Sequence, residues 1–169
     1  MNPLIPVLTT ERLILRPFEM TDLAAVYRIL DVENQELPRP RAERAQFLAW
    51  TVQNYHTLAR LNLPPYGERA VVERQSGAVI GSVGLVPAYG PFGLLPGFSD
   101  EVPPKCRNYF WPEFGLSFTI SAAHRRKGYA CEACRALADY LFRDLKPCRI
   151  VAITTRDNKA AQGVMTRLG

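Results

Sequence analysis

At 169 residues, 47% hydrophobic and 22% charged, the chain has the make-up of one ordinary globular domain with a sizeable core. No run approaches the ~20 apolar residues of a membrane helix, and the opening Met1-Asn2-Pro3-Leu4-Ile5-Pro6 lacks the basic and apolar regions of a secretory leader, so the cytoplasm is the expected location. The net charge of +5 is uneven, with 9 basic and 11 acidic side chains in residues 1–104 (−2) against 12 and 5 in residues 105–169 (+7), which points to a polyanionic partner for the C-terminal part, either nucleic acid or a phosphorylated cofactor.

Leu13–Pro17 alternates apolar and basic side chains and reads as a first strand, ended by Pro17. Thr21-Asp22 offers a helix N-cap, with Leu23, Val26, Tyr27 and Leu30 on one helical face. Residues 37–41, with two prolines, form a loop. A longer helix is expected from Glu43 to about Asn62, with a stripe that includes Phe47, Leu48, Thr51, Tyr55 and Leu58. Trp50 lies at the edge of this stripe, as core or as the wall of a substrate site. Pro64-Pro65-Tyr66-Gly67 breaks the helix, and Ala70–Glu73 and Ala78–Val86 follow as a hairpin around Gln75-Ser76-Gly77. Gly81 and Gly84 sit inside a strand rather than before a helix, so they are no dinucleotide fingerprint.

Residues 87–112 hold six prolines and six aromatic residues. A loop this long is functional or disordered, and the aromatic content argues against plain disorder. It is either a packed surface flap or a lid over a substrate site.

The next stretch is the most informative. Glu113–Ile120 has the composition of a strand, and Cys131, Cys134, Leu137, Ala138, Leu141 and Phe142 recur at helical spacing, to about Asp144. Between them His124-Arg125-Arg126-Lys127-Gly128-Tyr129-Ala130 reads as a turn whose amides can wrap a pyrophosphate. Gly128 removes the Cβ that would block close approach, and Ala130 is small for the same reason. The first helical turn offers unpaired N–H groups and the positive end of its dipole. Pro147 ends the helix, Arg149–Thr155 reads as a strand, and Asp157 or Asn158 caps a last helix. Cys131-Glu132-Ala133-Cys134 spells C-x-x-C, but no second pair exists and His56 and His124 are not at ligand spacing. Both thiols fall on the apolar stripe, so they are expected to be structural, and no metal is expected.

Arg125-x-x-Gly128-x-Ala130 resembles the Q/R-x-x-G-x-G/A signature of the GNAT superfamily of acetyl-CoA-dependent N-acyltransferases. Gly128-Tyr129-Ala130-Cys131-Glu132-Ala133 is similar to the G-Y-A-T-E-A run of its RimJ/RimL-like branch. Asn158-Lys159-Ala160-Ala161, Val164 and Arg167-Leu168-Gly169 resemble that branch's N-x-x-S-x-x-V-x-x-K-L-G, and Thr10–Pro17 looks like its first strand.

The resemblance implies a single α/β domain over residues 1–169, a mixed, twisted sheet in β-α-α-β-β-β-α-β-α order whose fourth and fifth strands splay apart. It implies acetyl-CoA as co-substrate. Backbone groups of Phe118 and Ile120 would pair with the pantetheine arm, and Arg125, Arg126, Lys127, Gly128, Tyr129 and Ala130 would hold the pyrophosphate. Asn158 either contacts the coenzyme near its thioester end or simply caps the helix. The implied reaction is direct attack of a neutral primary amine, on a protein N-terminus or a small molecule, on the acetyl thioester. Glu113 is the candidate base, flanked by Trp111, Pro112 and Phe114, which would raise its pKa by desolvation. Met165 stands where many relatives carry an acidic tyrosine, and Ala161 where the branch has a serine.

The family pattern continues beyond Gly169 with an aromatic residue and a strand pair. A shortened reading frame, or a domain finished by another chain, is therefore expected. Arg149–Thr155 would then present an open edge, with which a homodimer is compatible. The alternative functions are a non-catalytic coenzyme-A-binding relative and a nucleic-acid-binding module. The latter lacks RNP-like aromatics, zinc-finger spacing and a recognition helix.

Overall fold

Leu13 and Leu15 are fully buried while Ile14 between them packs on the opposite side, so the first long strand already has two covered faces. A computed structural model describes residues 6–34, 38–95, 111–147 and 149–169. The elements are β1 (Leu8–Thr9), β2 (Leu13–Pro17), α1 (Leu23–Tyr27, prolonged by a wider π turn over Arg28–Glu33), α2 (Arg41–Arg60), β3 (Gly67–Glu73), β4 (Val79–Gly90), β5 (Trp111–Ile120), α3 (Tyr129–Tyr140, prolonged by a π turn over Leu141–Leu145), β6 (Ile150–Val151) and α4 (Lys159–Leu168). The six strands form one sheet in sequence order, antiparallel through β5, with β6 parallel to β5.

One face carries Leu13, Leu15, Val71, Val83, Leu85 and Leu116 against Ala133, Cys134, Leu137 and Leu141 of α3. The other carries Ala70, Val72 and Val79 against Phe18 just after β2, Val26 and Ile29 of the α1 segment and Leu48 of α2. Each fully buried leucine or isoleucine contributes about 1.5–3 kcal/mol relative to exposure. The two cores hold the sheet between α3 on one side and α1 with α2 on the other.

The expected order of elements is present behind an added short strand, Leu8–Thr9, and several elements differ from expectation. The long helix starts at Arg41, directly after Pro40, and stops at Arg60, because Asn62 turns left-handed at φ +53°. Trp50 is 59% exposed, so it is no core residue. The strand expected over Arg149–Thr155 shrinks to Ile150–Val151. Residues 152–155 leave β5, and a segment without a ladder partner cannot satisfy its backbone as strand. Part of the proline-rich stretch is strand rather than loop, since β4 runs to Gly90 and β5 begins at Trp111. Residues 96–110, Cys106 and Cys148 lie outside the described residues. Cys134 is fully buried and Cys131 half-buried, both as free thiols. Among the described residues no metal-ligating cluster forms, and no helix is long and apolar enough to cross a membrane.

Candidate active site

Ser121 leaves β5, Ala122–His124 make one tight turn, and Arg125–Gly128 deliver the chain to α3. Gly128 starts the helix in the left-handed region at φ +84°, and Arg126 is left-handed as well at φ +61°. No side chain caps the helix, so its first N–H groups and the positive end of its dipole stay available to an anion. A Cβ on Gly128 would stand 3.4 Å from Nη2 of Arg12 and take up the space above the turn.

Arg12 braces this turn from the other end of the chain. Its Nη1 donates to the Lys127 carbonyl at 3.0 Å, and its guanidinium lies 4.5 Å over the Tyr129 ring. Nε and Nη2 donate to Oε2 of Glu132 at 2.7 and 2.6 Å. Oε1 of Glu132 accepts from the Arg12 amide at 3.0 Å and the Thr10 hydroxyl at 2.5 Å. Burial works to raise the Glu132 carboxyl, but Thr10 and Arg12 outweigh it and hold the group below its ordinary value. Arg126 and Lys127 are exposed beside the turn. Arg125 turns back, donating through Nε to the Ile120 carbonyl at 3.2 Å and through Nη2 to Oδ1 of Asn34. The Tyr129 side chain is packed away, its hydroxyl donating to Glu73 at 2.6 Å, so only its amide borders the turn.

The approach to the turn is an open strand edge. β5 pairs with β4 without a register break from Gly81↔Ile120 to Gly90↔Trp111. The Ser121 amide donates to the Ile80 carbonyl at 2.8 Å, which fixes the parity. Odd-numbered residues of β5 bond to β4, and even-numbered ones direct N–H and C=O to the other edge. On that edge β6 matches only Phe114 and Gly115 before diverging. The edge groups of Phe118 and Ile120 therefore border a gap between β5 and β6. Asn158 caps α4, its Oδ1 accepting from the Ala161 amide at 3.0 Å.

A strand that parts from its neighbour is thus followed by an uncapped helix start with a left-handed glycine at its head. The sequence pattern of the family described as "Acetyltransferase (GNAT) domain" matches residues 12–169. The chain belongs to the GNAT family of acetyltransferases. YnaD of Bacillus subtilis, described as an uncharacterized N-acetyltransferase, is 23% identical over 163 residues, 96% of this chain and 81% of YnaD. The acetyltransferase (GNAT family) from Bacillus anthracis shares the fold at TM-score 0.71 and 18% identity, over 97% of this chain and 82% of that one. RimL, a ribosomal alpha-N-protein acetyltransferase solved in complex with coenzyme A, does so at TM-score 0.65 and 13% identity, over 96% and 82% of the two chains.

In this GNAT domain Glu113 has an occupation that sequence reading did not foresee. Its Oε1 accepts from Nε and Nη2 of Arg149 at 2.8 and 2.6 Å, with both side chains largely buried at 9% and 12% exposure. The pair ties β5 to the residue before β6. Glu113→Gln is expected to cost about 1.5–3 kcal/mol, the usual worth of a hydrogen bond to a charged group. At about 2–4 °C per kcal/mol, this shows in a thermal melt. An unchanged Tm would show that the pair is no strut.

Sequence reading missed a second carboxyl. A cavity of about 220 Å³ lies between the helices and the sheet, walled by Phe18, Leu30, Phe47 and Leu48, with Glu68, Ser82 and Thr119 at the sheet. Oε1 of Glu68 accepts from the Ser117 hydroxyl at 2.6 Å, while its Oε2 is closed to solvent and has no hydrogen-bond partner. Burial pushes the Glu68 carboxyl above its ordinary value of 4.5, against the opposing hydroxyls of Ser117 and Ser82. Tyr55 braces the same strand, its hydroxyl donating to the Glu68 carbonyl at 2.5 Å and accepting from the Phe18 amide at 3.1 Å. Burial pushes the Tyr55 hydroxyl up to about 12, so it stays neutral. A charged residue just ahead of Ala70-Val71-Val72 was the available signal, but the strand was expected to begin only at Ala70.

Proposed function

We propose that the chain transfers an acetyl group from acetyl-CoA to a primary amine. The observation that carries this reading is the Gly128 turn at the uncapped start of α3, set beside the edge of β5 beyond its two pairs with β6. The amides of Arg126–Ala130 would hold the pyrophosphate, with Arg126 and Lys127 supplying charge at its flank. Phe118 and Ile120 would take the pantetheine arm as a further strand, Arg125 steadying the Ile120 carbonyl. Asn158 would contribute its amide N–H₂ while its oxygen caps α4. When bound, acetyl-CoA supplies an activated acyl carbon that a neutral amine attacks directly.

The chain's part is positioning, which contributes on the order of 7–11 kcal/mol, and removal of the ammonium proton, worth ~10²–10⁴ in rate. Glu113 was the expected proton acceptor, but a carboxylate engaged twice by Arg149 is poorly placed for that task. Calorimetric titration with acetyl-CoA, followed by thiol release in the presence of small amines and peptides with free N-termini, tests the reading. Micromolar binding with amine-dependent thiol release supports it, and a folded chain that binds no acetyl-CoA overturns it. Binding without turnover of any amine would leave the second reading, a coenzyme-binding relative, which Met165 in place of a tyrosine favours.

A further inference from the structure

Glu68, Gly84 and Ser117 form one row across three strands, Glu68 opposite Gly84 and Gly84 opposite Ser117. Gly84 is what lets the row close. A Cβ there would stand 2.7 Å from Cδ of Glu68, so any larger residue would push the carboxyl off the middle strand. With glycine the side chain lies across β4 and reaches the Ser117 hydroxyl on β5. Ser82 and Thr119 form the next row on the same face. A carboxyl is thus carried across the sheet toward the strand whose far edge would hold the pantetheine arm, with one oxygen anchored on Ser117 and the other buried without a partner, in a residue that lines the cavity.

We propose that Glu68 receives the ammonium group of the acceptor in this cavity and takes its proton, and that the acceptor is a primary amine on a compact apolar stem. The proposal rests on the acetyl-transfer reading above. Its substrate class follows from the walls. Phe18, Leu30, Phe47 and Leu48 are apolar, and about 220 Å³ is less than the ~300–1,000 Å³ of sites for drug-sized ligands. The other titratable groups nearby do not compete. Arg44 of α2 lines the cavity but is bound through Nε and Nη2 to Asp31, both at 2.7 Å. Tyr55 is neutral, and Cys134 lies in the core on the opposite face of the sheet, its thiol pushed up to about 12 by burial.

The step balances. The ammonium gives one proton to Oε2 of Glu68, and the freed lone pair forms the C–N bond as the thioester C–S bond breaks. The second surplus proton of the nitrogen neutralises the departing thiolate, and Glu68 returns the first to solvent. Ammonium and thioester become amide, thiol and one proton.

The test is a titration of the full chain, in the presence of coenzyme A, with phenethylammonium and with the uncharged phenethyl alcohol. It is run at several pH values from 5 to 7 in two buffers of different ionisation enthalpy. Within that range the wild type should bind the ammonium with a buffer-dependent heat wherever Glu68 still holds its proton, because the cation drives that proton off. Glu68→Gln should bind it at least 10-fold more weakly with no buffer dependence, and the alcohol should not distinguish the two proteins. Equal ammonium binding by both, an alcohol bound as tightly as the ammonium, or no binding by the wild type each overturns the proposal. The raised carboxyl supplies a folding control. The unfolded chain loses the proton near 4.5 while the folded chain keeps it to higher pH, so Glu68 weakens the fold as pH rises through that window. Glu68→Gln should therefore melt no lower than the wild type at pH 7, and lose any advantage at pH 4. Should it fail to fold, Ser117→Ala replaces it in the titration, with weaker ammonium binding expected and unchanged binding overturning the row. Acetyl-CoA affinity, measured on the same samples, should be equal in variant and wild type. Its absence in both overturns acetyl transfer without touching the binding result in the cavity.

Discussion

Gly128→Glu is expected to lower acetyl-CoA affinity at least about 100-fold, close to 2.7 kcal/mol, in a chain that still folds. Three effects act together. The residue sits at φ +84°, where a non-glycine costs roughly 1–2 kcal/mol. A Cβ would lie 3.4 Å from Arg12, an ordinary contact, so sterics alone do not deform the turn, but the longer chain must occupy the space a pyrophosphate needs. Its carboxylate would also meet the free amides of the α3 start and satisfy them from within the molecule. Gly128→Ala separates these contributions, keeping the backbone strain without the charge. Calorimetry reads both variants, and a Gly128→Glu protein that binds within threefold of the wild type would remove the turn from the coenzyme site.

Asp31→Ala is expected to cost about 3–5 kcal/mol, the penalty for leaving half of a buried ion pair behind. The Tm should fall by about 6–20 °C at this chain length. The Arg44 and Asp31 side chains are 7% and 2% exposed and joined at 2.7 Å, and Asp31 also accepts from the Arg39 amide at 2.8 Å. The pair joins the α1 extension to α2 beside the cavity, so its loss reaches the cavity as well as the fold. Replacing both partners, Asp31→Leu with Arg44→Met, should cost far less than either alone, because no orphan charge remains. Burial works to raise the Asp31 carboxyl, but Arg44 and the Arg39 amide outweigh it and hold it below 3.8. Its stabilisation is therefore complete above that value and drains away as the pH falls beneath it. Thermal melts between pH 2.5 and 7, on wild type and Asp31→Asn, check the sign. A wild type no less stable at pH 2.5 than at pH 7 would contradict it.

What the sequence discloses follows the distance over which each feature is decided. The Gly128 turn and the Asn158 cap are set by residues within a few positions of each other, and β2 is found at its expected bounds because its alternation is a local pattern. The row that holds Glu68 could not be read this way. Ser117 is 49 residues further along, and their meeting depends on the register of two strand pairs, one with an irregularity at Val71/Val72. Glu113 illustrates the converse case. The motif drew attention to the right strand end, but Arg149, 36 residues on, engages its carboxylate. The brevity of β6 has the same origin, since strand length is fixed by the neighbour available to pair with it, not by the β-favouring residues of 149–155.

The contacts of Arg12 give the Gly128 turn a property that no local motif has. Thr10 and Arg12 grip Glu132 and the Lys127 carbonyl from more than 100 positions away in the chain. The start of β2 and the first turn of α3 are therefore one mechanical unit. Any ligand that steadies the turn must also slow the opening of the strand, and slow amide hydrogen exchange at Leu13–Pro17 becomes a remote gauge of site occupancy. Conversely, an alteration at the N-terminus that frees Arg12 would loosen the turn without changing a residue of its motif.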